Sequence, residues 1–219
     1  MSRTTPTRMG EKYPDRDRVD LDALLADARV GHFAFVVDGQ PTVLPSAIAK
    51  DGDDILVHGS TGSRWLRLLA TGIPVALAVT ALDALVVARS AFESSMHFRS
   101  AVIFGTCGPV ADGEKVAALD SVTEALIPGR LAELRPHTAK ELAATLILRM
   151  TVEEWSLKVS DGWPEDEAAD VAGQAWAGVL PIATGFTAAN RAPDLAADIA
   201  IPDSVRRMLG SRATGYSPT

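Results

Sequence analysis

VGHFAFVVDGQPTVLPSAIAKDGDDILVHGS, residues 30–60, carries the reading of the fold. Val30–Val37 is a compact apolar run containing Phe33 and Phe35, and it stops at Asp38-Gly39. An aspartate–glycine pair between two apolar runs is the strongest short-range hairpin signal, because a type I′ turn needs positive φ at both positions. Pro41–Lys50 reads as the returning strand, Asp51-Gly52-Asp53-Asp54 as a second turn, and Ile55–His58 as a third strand. The expectation is a meander of three antiparallel strands.

Upstream, residues 1–19 form a polar arm without a core of its own. Asp20 is placed to cap a first helix whose apolar face is Leu21, Leu24, Leu25 and Ala28. Downstream, Gly59–Ser63 leads into a short helix, Arg64 to Thr71, stopped by Gly72 and kept from resuming by Pro74. Trp65, Leu68 and Leu69 share one face of it. Val75–Thr80 and Ala84–Arg89 read as two strands, and Val102–Val110 as another. About six strands with short connections in a domain of this size close into a barrel or a sandwich. Glu114–Leu126 and Thr138–Met150 have helical spacing, and Thr138 with Glu141 forms a capping box. Period two returns in Glu154–Ser160, and Trp176–Ile182 reads as a last strand.

With 219 residues, 47% of them hydrophobic and 22% charged, the chain suits one globular domain with tails and not a disordered one. The 21 basic against 28 acidic residues leave a net charge of −7, which argues against a sequence-independent grip on nucleic acid. A single cysteine, Cys107, excludes a disulfide framework and fits a reducing compartment. Since it lies in an apolar strand, it reads as an inert core thiol. The first 18 residues lack the apolar core of a signal peptide, and no apolar run approaches the roughly 20 residues of a membrane helix. A cytoplasmic protein with neither nucleic-acid nor membrane partner is expected. Charge is uneven: residues 151–170 carry −6, whereas residues 58–105 carry +2.

That cationic segment holds the most informative local feature, His58-Gly59-Ser60-Thr61-Gly62-Ser63-Arg64, between a strand end and a helix start. Unpaired N–H groups at such a start, glycines that admit close approach, three hydroxyls and a guanidinium suit an anion such as a phosphate. It is no Walker loop, because the Gly-Lys-Ser/Thr ending is missing. The plainer reading is that the hydroxyls only cap the helix and Arg64 is a surface charge. A second cluster, Ala88 to Ser100, is rich in hydrogen-bonding side chains, Ser95 among them. It reads either as a binding loop or as a long polar connection. His32, His58, His97 and His137 lack metal-ligand spacing, and no GxSxG elbow is present. Trp65, Trp155 and Trp163 read as packing residues. An enzyme without nucleophile, metal or acid pair takes its chemistry from a cofactor.

HGSTGSRWLRLLATGIPVALAVTALDALVVARSAFESSMHFRSAVIFG, residues 58–105, resembles the flavin-nucleotide-binding branch of the pyridoxamine 5′-phosphate oxidase-like superfamily. That branch includes proteins linked to 5-nitroimidazole resistance. The likeness runs over residues 14–183 and takes in KVSDGWPEDE (158–167) and AWAGVLPI (175–182). The resemblance implies a mainly β (α+β) fold, a six-stranded antiparallel split β-barrel with peripheral helices over 20–183, and an extension over 184–219. It implies a homodimer with FMN in two equivalent grooves between subunits. Ser63 and Arg64 fall at the FMN phosphate, beside Ser60 of the anion-suited loop described above. Pro45 and Ser46 fall along the flavin ring, and His58 and Gly59 beside the cofactor. Arg99 and Ser100 fall at the ribityl chain or ring, and Trp176 and Lys158 would come from the partner subunit.

Departures from the superfamily pattern bear on the activity. Arg64 is followed by Trp65 where the oxidases carry an Arg/Lys pair, and the residues after Trp176 lack their substrate-phosphate clamp of Arg and His. His97 stands where near relatives often have Asn. Oxidation of pyridoxamine phosphate is therefore not the expectation. An FMN-dependent reductase of nitro-aromatic or other small electron acceptors is, with NAD(P)H as a candidate donor and His58 as the proton donor near the ring or a structural residue. The alternatives are a flavin carrier or sensor without turnover, and the same barrel holding haem, through His58 or His97, or a deazaflavin.

Overall fold

The computed structural model describes residues 16–210. Its elements are α1 (Arg18–Asp27), β1 (Val30–Val37), β2 (Gln40–Ala47), β3 (Ala49–Asp51), β4 (Asp54–Ser60), α2 (Arg64–Leu69), β5 (Pro74–Val87), β6 (Ser95–Thr106) and β7 (Gly108–Pro109). There follow α3 (Lys115–Leu126), α4 (Ala139–Ala144), β8 (Thr145–Thr151), β9 (Glu154–Ser160), α5 (Ala168–Val171), β10 (Gly178–Pro181) and α6 (Asp203–Gly210). Most of the arm expected over 1–19 lies outside the described residues, as does the end of the extension.

The hairpin forms where its turn chemistry puts it. Asp38 and Gly39 have φ of 51° and 75°, and β1 pairs with β2 from Val37↔Gln40 to Val30↔Ala47. The three-stranded meander is corrected, however. The chain leaves the first sheet after Ala47, and β3 opens a second sheet by pairing with β4. Six strands form one sheet, in the order β2-β1-β5-β6-β9 with β10 added on β5, and β3-β4-β8-β7 form the other. The fold is thus mainly β, with antiparallel pairing and several helices, and no closed barrel is seen among the described residues.

Four boundaries move for physical reasons. Asp17, not Asp20, caps α1, its carboxylate accepting from the N–H groups of Val19 and Asp20, while Leu21, Leu24 and Leu25 are buried as the spacing requires. Pro74–Val87 is one strand, not two. Its buried residues are Val75, Leu77 and Val79, then Ala84 and Val86, so the inward phase changes midway and imitates a turn in the sequence. Thr138–Met150 is not one helix: the capping box starts α4, but from Thr145 the chain pairs residue for residue with β4. The last strand begins at Gly178, past Trp176.

The described residues divide into two compact units, residues 16–80 with 101–157, and residues 81–100 with 158–210. In the first, α3 packs Ala118, Leu119 and Val122 onto Ala49, Leu56 and Ile147 of the four-stranded sheet. Each fully buried large aliphatic side chain there contributes about 1.5–3 kcal/mol. Arg18 fastens α1 to the turn after β3, donating to Asp53 at 2.9 Å and to the Val152 carbonyl at 3.0 Å. In the second unit β10 pairs with the end of β5 from Gly178↔Val87 to Pro181↔Ala84.

Candidate functional site

His58, Gly59 and Ser60 are the last residues of β4 and not part of a loop, since they pair with Ile147, Leu146 and Thr145. The bend is only Thr61–Ser63. Thr61 donates its N–H to the Ala144 carbonyl at 2.9 Å, and Ser63 to that of Ser60 at 2.9 Å. The Ser60 hydroxyl accepts from the Gly62 N–H at 3.1 Å, which closes the bend. A Cβ on Gly59 would sit 2.8 Å from Leu66 Cδ1, so glycine there lets α2 pack against the strand it follows.

Ser63 is the residue before α2, yet its side chain caps nothing. Helix capping by these hydroxyls is therefore not what the structure contains. Arg64 is exposed and has no ion pair or side-chain hydrogen bond among the described residues. A hydroxyl and a guanidinium thus stand unspent beside first-turn N–H groups that the helix itself does not use.

His58 is half-buried, and its Nδ1 is shut off from solvent with no hydrogen-bond partner. Burial pushes its pKa below the ordinary histidine value, favouring the neutral imidazole. A neutral imidazole is a poor proton donor near neutrality, but it is a good ligand and a good acceptor. Buried polar atoms nearly always have partners, so the unpaired Nδ1 sets His58 apart from His97 and His137, which are engaged.

Pro45 and Ser46 lie on β2, which touches β4. Being consecutive in a strand, they face opposite sides of the sheet. Pro45 is on the exposed side, opposite His32, which in turn lies opposite Ala78 on β5. The sequence names His32 only among histidines without metal-ligand spacing.

The second unit holds the other candidates. Ser95, Arg99 and Ser100 sit on β6 itself rather than in a loop, which correction leaves only residues 88–94 as the connection. Arg99 forms a fork to Asp83, Nε at 3.1 Å and Nη2 at 3.0 Å. His97 is buried with both ring nitrogens engaged, Nδ1 at 3.3 Å from Ser160 Oγ and Nε2 at 3.1 Å from the Gly162 carbonyl. It is therefore not free to bind a metal. Lys158 is exposed on β9. Trp176 is exposed and lies over Gly178, where a Cβ would come within 2.7 Å of its Cη2. Arg89 explains part of the acidic loop: Asp166, only 1% exposed, accepts from its N–H at 2.7 Å and its guanidinium at 2.9 Å. Cys107 is buried with its thiol pushed up to about 11, a core residue as expected. No helix of the described residues is long and apolar enough to cross a membrane.

The family model described as pyridoxamine 5′-phosphate oxidase matches residues 17–159. Among solved structures, the FAD- and haem-binding protein from Mycobacterium smegmatis is similar with a TM-score of 0.86 and 50% identity, covering 88% of this chain and 95% of that one. The flavocytochrome Anf3 from Azotobacter vinelandii follows with a TM-score of 0.85 and 31% identity, covering 95% and 97%. A protein from Bacteroides thetaiotaomicron ascribed to 5-nitroimidazole antibiotic resistance shares the fold, with a TM-score of 0.57, 17% identity and coverage of 66% and 84%. No curated protein sequence matches the chain.

Proposed function

The chain belongs to the pyridoxamine 5′-phosphate oxidase family, and we propose that it is a flavin-binding oxidoreductase that also holds haem, a flavocytochrome. Two relatives above 30% identity, each matched over nearly its whole length, are a FAD- and haem-binding protein and a flavocytochrome. The observation that carries the reading here is His58, a neutral, half-buried imidazole whose ring nitrogens no group among the described residues takes up; Nδ1 is sealed off, which leaves Nε2 as the nitrogen that would take iron. Haem iron asks for one such imidazole. Of the other histidines, His97 is fully engaged, His137 is paired with Asp120 at 3.0 Å, and His32 stands exposed on the outward side of β1.

In this reading His58 would hold the iron, while Ser63 and Arg64 would hold the flavin phosphate, with Pro45 beside the ring. Arg64 binds by charge and by two parallel donors, which a lysine could not copy. The flavin supplies two-electron chemistry and the haem one-electron chemistry, so the pair suits transfer between a donor such as NAD(P)H and a small acceptor. Reduction of nitro-aromatic acceptors is one such activity. FAD has the support of the Mycobacterium smegmatis protein, whereas FMN rests on the sequence resemblance alone. A homodimer with the cofactor between subunits has the support of an exposed apolar sheet face that includes Val30, Val36 and Val43. A cytoplasmic setting rests on the single buried cysteine.

The test is to strip the protein and titrate it with FAD and with hemin. Saturable one-to-one binding of both supports the reading. Binding of flavin alone would leave a flavoprotein, and binding of neither would remove the proposal.

A further inference from the structure

A cavity of about 480 Å³ opens between α3, the segment 131–137 and α4, all within the first unit. That volume lies in the range of small-molecule pockets, about 300–1,000 Å³. Val116, Leu131, Leu134 and Pro136 make its apolar wall, and Val116 and Leu134 are exposed. The charged residues that line it are spent on one another. Arg135 donates its fork to Glu141 at 2.6 and 3.0 Å, and His137 Nε2 lies 3.0 Å from Asp120 Oδ1. The Thr123 hydroxyl donates to the Leu119 carbonyl at 3.0 Å. An ionised carboxylate only accepts, so Nε2 of His137 carries a proton and, in the neutral ring, Nδ1 is left as an acceptor. No group among the described residues takes that acceptor up.

A charged molecule would have to break one of these pairs to gain a partner. A wholly apolar one would displace water and leave Nδ1 without a bond. A neutral molecule with an apolar ring and one hydroxyl meets both conditions. We propose that this cavity binds a neutral small molecule of the phenol class, its ring on the apolar wall and its hydroxyl donating to His137 Nδ1, and that occupancy steadies the bend at Ser63 and Arg64. Arg135 and Glu141 line the cavity, and Glu141 completes with Thr138 the capping box that starts α4. Ala144, the last residue of α4, accepts the Thr61 N–H at 2.9 Å. A molecule seated against the first turn of this short helix restrains its fraying, and with it the bend. Binding is non-covalent and does not depend on the flavin or haem reading.

The experiment titrates the full chain by calorimetry at neutral pH with phenol, with anisole, which has the ring but no donor, and with benzoate, which is charged. Wild type is compared with His137→Phe, His137→Gln and Val116→Trp, and Thr61 is followed by amide hydrogen exchange. Phenol binds wild type saturably, one per chain, and anisole about two- to tenfold more weakly, the worth of one hydrogen bond. Benzoate also binds more weakly than phenol. In His137→Phe phenol falls to the affinity of anisole, whereas His137→Gln, whose side-chain carbonyl still accepts, loses less. Val116→Trp fills the cavity from an exposed position and abolishes binding. Saturating phenol slows exchange at Thr61 in wild type and not in Val116→Trp. No saturable binding of phenol, equal binding of phenol and anisole, or binding that survives Val116→Trp would overturn the site. Unchanged exchange at Thr61 with phenol bound would overturn its link to the bend.

Discussion

Thr61 donates its backbone N–H to the carbonyl of Ala144 at 2.9 Å, so the bend that presents Ser63 and Arg64 hangs on the last residue of α4. That helix is six residues long and depends on its start. The Thr138 hydroxyl accepts from the Glu141 N–H, and Glu141 accepts from the Thr138 N–H and from the Arg135 fork at 2.6 and 3.0 Å. Hydrogen bonds from the Arg135 guanidinium, first of all, hold the Glu141 carboxyl far below the usual carboxylate range. Thr138→Ala should cost about 1 kcal/mol. In amide hydrogen exchange, Thr61 should lose protection along with α4. Faster exchange in α4 with Thr61 unchanged would show the bend to be independent of the helix.

Arg64 is unspent, and its loss should be felt only by ligands with a phosphate. Arg64→Ala should weaken FAD or FMN by about 1.5–3 kcal/mol, the worth of a charge-assisted hydrogen bond. Riboflavin, which has no phosphate, should bind both proteins alike. Calorimetry with the three ligands separates phosphate recognition from general damage, because equal losses for all three contradict the assignment.

Asp166 is buried against Arg89, and breaking that pair strands a charge. Asp166→Ala should destabilise by roughly 1.5–3 kcal/mol, and Arg89→Ala in the same background should add little. Urea unfolding of the double-mutant cycle reads this. Additive losses would mean that the two side chains act separately.

His58 makes stability depend on pH in a defined direction. Its folded pKa lies below the ordinary value of 6.5, so as pH falls through 6.5 the unfolded chain takes up the proton first. Stability is thus lost on acidification from that point downward, and His58 contributes nothing to the slope well above it. Relative to His58→Asn, wild type should lose stability as pH falls below about 6.5 in chemical denaturation of the apoprotein. A difference that grows in the opposite sense rules out the desolvated imidazole.

Much of this was legible in the residues. Asp38-Gly39 specified a turn with positive φ, and the structure has it. Leu21, Leu24 and Leu25 specified a buried helix face even though the cap was misplaced by three positions, because the spacing of apolar residues outweighs one boundary. The division into two sheets at Ile48 was not legible, since strand patterns carry alternation but no partner. Thr145–Met150 looked helical because a short apolar run fits either period, and only pairing with β4 decides it. Arg64 and Ser63 were found by local chemistry.

The most direct measurement is the absorption spectrum of the protein as isolated, beside that of His58→Ala. A flavin band and a Soret band in wild type are predicted, with the Soret band lost or shifted in the variant while the flavin band persists. A wild type with no Soret band after growth with ample haem, or a variant whose Soret band is identical, would contradict the flavocytochrome account centred on His58.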